Sequence, residues 1–124
     1  MPRLFLIIGL PGSGKTMLAR ELAEYDDTIV DDISDLSQLP EDRGQYIFIT
    51  DVNWCDSRIL KRARAFLKLR YPHHAQEVVY FTNDPEQCRK NVERRNDGRC
   101  VEGTIRRFTE IYDPPSDAFP VWHP

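Results

Sequence analysis

Residues 9–16 read GLPGSGKT, which places three glycines, a lysine and two hydroxyls within eight positions. That grouping suits polyphosphate chemistry. Glycine lets the main chain approach a ligand without side-chain collision, and successive N–H groups at the start of a helix form a nest for anionic oxygens. The N–H groups from Gly12 to Thr16, including Ser13 and Gly14, would form the nest, and Gly9 and Pro11 complete the cofactor-binding loop. Lys15 would reach the β and γ phosphates of ATP, and the Thr16 hydroxyl would coordinate Mg2+.

Two acidic groups follow at places where strands should end. Asp31 and Asp32 come after Thr28-Ile29-Val30, and Asp51 comes after the apolar run 45–50, with Asn53 two positions on. Asp31 either takes the proton of an attacking hydroxyl or caps the next turn, a role that Asp32 or Ser34 could also fill. Asp51 can hold the water shell of Mg2+ or position substrate. Asn53 can donate to a substrate oxygen or fix its own loop. Late in the chain, Arg94, Arg95 and Arg99 surround the turn residues Asn96-Asp97-Gly98. Arginine forks at such a turn could neutralise the oxygens of a phosphoryl group in flight.

These residues need a scaffold that delivers them to one edge. Residues 3–8 predict a central parallel strand, because their nearly unbroken apolar run suits burial on both faces. A helix over 15–24 follows, with Leu18, Ala19 and Leu22 toward the sheet. Further strands are expected at 28–30, 45–50 and 77–82, with a short helix or loop at 33–44. A basic helix over 56–71 would bury Ile59, Leu60, Ala63, Phe66 and Leu67 and stop at Pro72, leaving His73 and His74 in a surface loop. Asp84 should cap a helix that begins at Pro85 and runs to Arg95, and a second helix is expected near 102–112. The tail 113–124 holds four prolines, and Phe119, Val121 and Trp122 either pack it over the domain or lie beside a nucleotide base. The expected fold is α/β: one three-layer domain over 1–124, with a central parallel sheet of about four strands and a helical lid near 94–103.

The 124 residues allow one small core, and the net charge of −3 is unevenly spread. Residues 21–42 carry nine acidic side chains and no Lys or Arg, whereas 58–70 carry six basic side chains and no acid. Arg58, Lys61 and Arg62 could therefore hold a nucleic-acid strand, or the cluster is a solvated helix face. Cys55, Cys88 and Cys100 lack zinc or disulfide spacing and read as free thiols. No apolar run is long enough for a bilayer, and the amino-terminal stretch lacks a cleavage pattern, so a cytoplasmic location is expected.

A hydrophobic run ending in Asp-Glu, as in motor ATPases, is missing, as is an Asn-Lys-x-Asp guanine signature. The sequence resembles the 5′-hydroxyl polynucleotide kinases, particularly the kinase domain of the phage enzymes. GLPGSGKT at 9–16, VDD at 30–32, TDVN at 50–53 and, more loosely, ERRNDGR at 93–99 followed by Arg106 and Arg107 carry the resemblance. It implies a P-loop kinase-like fold that binds ATP and Mg2+ through Lys15 and Thr16. It also implies Asp31 as general base and Arg95 or Arg99 as the arginine acting on the phosphates. The implied acceptor is the 5′ end of single-stranded or end-exposed DNA or RNA. One departure stands out: where the family commonly has an arginine shortly after the Asp pair, this chain has Ser34. Two alternatives therefore accompany the 5′-kinase reading. One is a kinase for a hydroxymethyl base in modified DNA or a small nucleoside-like metabolite, and the other is an ATP-binding module without catalysis.

Overall fold

The computed structural model describes residues 1–31, 38–96 and 101–124. Its strands are β1 (Arg3–Ile8), β2 (Thr28–Asp31), β3 (Ile47–Thr50) and β4 (Ala75–Tyr80). Helix α1 (Lys15–Leu22) follows β1, α2 (Ser57–Arg70) precedes β4, and α3 (Pro85–Arg95) and α4 (Glu102–Thr109) follow it. The strands form one sheet in the order β2-β3-β1-β4, and every pairing is parallel. Helices cover both faces, which gives a small three-layer α/β domain.

The alternation of β1 explains the layering. Leu4, Leu6 and Ile8 join Ile47, Ile49, Leu60, Leu67, Ile105 and Phe108 on one face. Ile7 turns the other way, to Phe48, Ala19 and Phe81, with Phe5 packed against them. Both faces of β1 are thus dry, which is why its sequence is nearly all apolar. Register then sets the working edge: Ile7 lies opposite Thr50, and Thr50 lies opposite Asp31. Loop 9–16 and the Asp31 and Asp51 regions leave the sheet side by side.

Several sequence expectations are corrected. Helix α1 ends at Leu22, which is 47% exposed, and Ala19 supplies the buried contact. Its small side chain lets the helix lie close to the sheet. In α2 the buried residues are Leu60 and Leu67, while Ile59 is 36% and Phe66 40% exposed. At about 100° per residue, Ile59 stands a quarter-turn off the Leu60–Leu67 line. His74 is buried, unlike its exposed neighbour His73, and packs edge-on against Tyr71. Its Nε2 lies 2.7 Å from the Gln45 carbonyl. Because a carbonyl only accepts, Nε2 carries the proton in that bond. The expectation of surface histidines treated the pair alike, although only His73 faces solvent.

The tail adds a rudimentary fifth strand to β4. Phe119 N–H donates to the Tyr80 carbonyl, and Thr82 N–H donates to the Phe119 carbonyl, both at 2.8 Å. The Tyr112 hydroxyl meets the carbonyls of Ile8 and Phe81, tying the end of α4 to the same edge. Among the described residues, no helix is long and apolar enough to cross a membrane. Ile49 sits wholly buried in β3, so Ile49→Ala is expected to cost about 2–5 kcal/mol in chemical denaturation; a loss below about 1 kcal/mol would contradict this packing.

Candidate functional site

Loop 9–16 connects β1 to α1, and its geometry depends on close contacts from behind. Gly12 and Gly14 have φ of 85° and 106°. A Cβ on Gly12 would stand 2.6 Å from the Cys88 carbonyl oxygen, and one on Gly14 would stand 2.9 Å from Trp122 Cβ. Both positions therefore require glycine on two grounds, conformation and space. The Lys15 ammonium folds back to donate to the carbonyls of Gly9 at 2.9 Å and Leu10 at 3.0 Å. Pro11 lies partly buried between these carbonyls and Gly12, and Ser13 is fully buried with its Oγ lacking a hydrogen-bond partner.

Beside the loop, one carboxylate gathers two hydroxyls. Thr16 Oγ1 donates to Asp31 Oδ1 at 2.7 Å, and Thr50 Oγ1 donates to the same oxygen at 2.5 Å. Asp31 caps no described helix. Asp51 has the capping role instead: its Oδ1 accepts from Asn53 N at 2.9 Å and Asn53 Nδ2 at 3.0 Å, starting the 3-10 turn Val52–Cys55. Asn53 thereby fixes its own turn. The donor set around Thr16 is all hard oxygen, which suits Mg2+, an ion that needs few protein ligands. Among the described residues, no group of three or more His, Cys, Asp or Glu is arranged for a metal.

Asn91 is the site residue that sequence reasoning missed. Its Nδ2 donates to the Gly12 carbonyl at 2.8 Å and to the Trp122 carbonyl at 2.5 Å, while its Oδ1 accepts from Gln87 Nε2 at 3.0 Å. Trp122 N–H in turn donates to the Ser13 carbonyl at 3.0 Å. A faint signal existed in Gln87 and Asn91, two amides one helical turn apart, but their target lies 79 positions away in sequence. The tail therefore does pack over the domain, and it does so against the loop. Between tail and α1 lies a hollow of about 740 Å³ lined by Gly14, Met17, Leu18, Phe81, Phe119 and Trp122, among others.

The basic candidates separate. Arg58 is engaged with Asp56, which caps α2; the guanidinium holds that carboxyl below the usual carboxylate range. Lys61 lines a hollow of about 370 Å³ with Ser57, Leu60 and Arg64. Arg62, one residue on, points about 100° away around the helix. Arg95 ends α3 at the surface. The Arg89 Nε–H is shared between both Glu102 oxygens, each at 2.9 Å, and joins α3 to α4. Asp32, Ser34, Arg99 and Cys100, together with most of the expected lid turn, lie outside the described residues.

Cys55 and Cys88 are free and buried beneath the loop, and burial pushes both thiols up to about 12.

No protein-family model matches the chain. It is similar to an uncharacterized protein of Acanthamoeba polyphaga mimivirus, with 38% identity over 123 residues, covering 90% of this chain and 86% of that protein.

Asn91→Leu leaves the Gly12 and Trp122 carbonyls without their donor. It is expected to lower stability by about 2–4 kcal/mol in urea denaturation, given roughly 1–3 kcal/mol per unsatisfied buried group; a change under about 0.5 kcal/mol would contradict the bracing role. The thiols set a pH dependence. Their folded values lie above the ordinary 9.0, so the stability they contribute is complete below pH 9.0 and is lost as pH rises toward about 12. Cys55→Ala with Cys88→Ala should flatten that alkaline decline; an unchanged decline would assign it to other groups.

Proposed function

The chain belongs to one family with the mimivirus protein, and we propose that it is an ATP-dependent kinase for the 5′-hydroxyl end of a polynucleotide. The observation that carries the reading is the 2.7 Å hydrogen bond from Thr16 to Asp31. It puts the carboxylate that ends β2, one strand beyond β3 from β1, beside the loop hydroxyl that follows Lys15. A loop of this composition without an adjacent carboxylate would suit binding alone. With one, a proton acceptor stands next to the expected γ-phosphate position.

In this reading the fold is P-loop kinase-like and the α3–α4 hairpin carries the lid. The N–H groups of Gly12, Gly14, Lys15 and Thr16 hold the ATP phosphates, the Ser13 N–H being spent on the Leu10 carbonyl, and the hollow beside Gly14, walled by Phe81, Phe119 and Trp122, takes the base. Thr16, helped by Asp51, would hold Mg2+, which when bound neutralises charge on the phosphate oxygens. Asp31 orients the acceptor hydroxyl and receives its proton as the acceptor oxygen bonds to the γ-phosphorus. The bond from that phosphorus to the bridging oxygen of ADP breaks, and ADP leaves with the electron pair. Lys15 and an arginine of the hairpin, Arg95 or Arg99, compensate the charge on the moving group. The reaction would take place in the cytoplasm, on DNA or RNA ends.

Labelled γ-phosphate transfer from ATP to short 5′-hydroxyl DNA and RNA, against 5′-phosphorylated strands, tests this. Transfer confined to 5′-hydroxyl strands and abolished by Lys15→Ala is the expected result. ATP·Mg binding without transfer to any strand would overturn the acceptor assignment. A hydroxymethyl base or small metabolite would then be the next acceptor to try, since Ser34 stands where the family commonly has an arginine. Failure with those too would leave a binding module.

A further inference from the structure

We infer that one flank of α2, the row Lys61, Arg64 and Lys68, is the track on which the sugar-phosphate backbone of a single-stranded polynucleotide lies as it leads to the site. The inference deepens the kinase reading and rests on it for direction, though the track can be tested by binding alone. Helix geometry makes the row. At about 100° and 1.5 Å per residue, positions 61, 64 and 68 fall within a sector of about 60° and span roughly 10 Å. Ser57 stands at the head of the same sector. Helix α2 begins directly after the turn that Asp51 caps, so the row starts at the working edge and leads away from it.

Three features separate this row from an ordinary solvated face. First, Ser57, Leu60, Lys61 and Arg64 line a hollow of about 370 Å³, so the head of the row is concave. Second, Arg64 is held in place: its Nε donates to Gln76 Oε1 at 3.0 Å, while Gln76 Nε2 donates to the Arg64 carbonyl at 2.9 Å. That latch engages one edge of the guanidinium and fixes the direction of the rest. Third, three successive charges of the row stand together without a carboxylate partner among the described residues. Arg3, Arg58, Arg89 and Arg106 each have a carboxylate partner. Among the described residues, Lys61, Arg64 and Lys68 have none within ion-pair distance. Helix α2 itself contains six basic residues and no acidic one.

A linear row of cations complements a chain of phosphates better than a single nucleotide. The α2 aromatic, Phe66, lies on a different flank, about 140° from Lys61 around the helix. Base stacking therefore has no partner on the row, and the contact is with the backbone. Binding should be independent of base sequence and strongly dependent on salt. Of the three basic residues that the sequence suggested for this task, only Lys61 belongs to the row.

Fluorescence anisotropy with labelled thymidine DNA and uridine RNA strands of about 12 nucleotides provides the test. The wild-type chain is compared with a variant carrying Lys61→Gln, Arg64→Gln and Lys68→Gln. With single strands contributing about 0.7 per phosphate neutralised, the variant should lower the log–log salt slope by roughly two. Its affinity at low salt should fall at least roughly tenfold. Gln76→Leu, which removes the latch and leaves every charge, should weaken binding by a smaller factor with the slope nearly kept. Thermal melting checks that each variant is folded. Equal affinity and slope in wild type and triple variant, or no binding of either strand by the wild type, would overturn the track. Salt-dependent binding lost in the variant, with no phosphoryl transfer to any strand, would uphold the track and reject the 5′-hydroxyl end as the acceptor.

Discussion

Loop 9–16 keeps its shape because the carbonyls of Gly9, Leu10, Gly12 and Ser13 find donors, the first two within the loop and the last two in α3 and the tail. Gly12 and Gly14 at positive φ swing successive peptide planes so that N–H groups converge, and the carbonyls must then point back into the protein. Each of those carbonyls has a donor: Lys15 and the Ser13 N–H at Leu10, Lys15 at Gly9, Asn91 at Gly12 and the Trp122 N–H at Ser13. A buried carbonyl left alone would cost about 1–3 kcal/mol, so the loop could not hold this form on an isolated strand and helix. It ties α3 and the carboxyl-terminal tail to the amino-terminal strand, and the tail in turn hydrogen-bonds along β4.

Parallel strand order does the rest of the positioning. With β1, β2 and β3 in register, Thr50 and Asp31 end level with the start of the loop, and Thr16 meets them across a turn of backbone. A shared acceptor oxygen between two threonine hydroxyls holds the Asp31 carboxylate in one orientation. That orientation matters for either chemistry a carboxylate could do there, since proton acceptance and support of a cation both require the oxygen at a fixed distance from the phosphates. Asp51 is committed in one oxygen to its own turn. The two aspartates thus have different environments although both close a strand.

The sequence carried the scaffold because that part is periodic. The strand-to-helix context of GLPGSGKT, the apolar runs of β1, β3 and β4, and the Asp84-Pro85 start of α3 are local signals, and the structure has each within a few residues of its expected place. What escaped was tertiary. Apart from the amide of Gln87 one turn before it, nothing local distinguishes Asn91 from any polar residue of an amphipathic helix, and its other partners are set by how the tail returns. His74 is buried because Gln45 offers it a carbonyl, which the sequence neighbourhood of 73–76 does not reveal. In α2 the apolar residues outnumber the positions that the sheet can cover, so spacing alone could not tell Leu60 from Ile59. Arg58 and Lys61 looked equivalent as charges, yet one is tied to a helix cap and the other lines a hollow.

Whether Asp31 receives the acceptor proton beside ATP held on the loop is decided by single-turnover transfer with Asp31→Asn protein, measured alongside the ATP affinity of the same protein. The substitution keeps the shape and an acceptor oxygen for Thr16 and Thr50 but removes the base. With Asp31 as the base, ATP binding stays within a few-fold of wild type and transfer slows by about 100-fold or more, the range of general base catalysis. Transfer at the wild-type rate with ATP bound would contradict that role, and the base would have to be sought elsewhere, with Asp32 first.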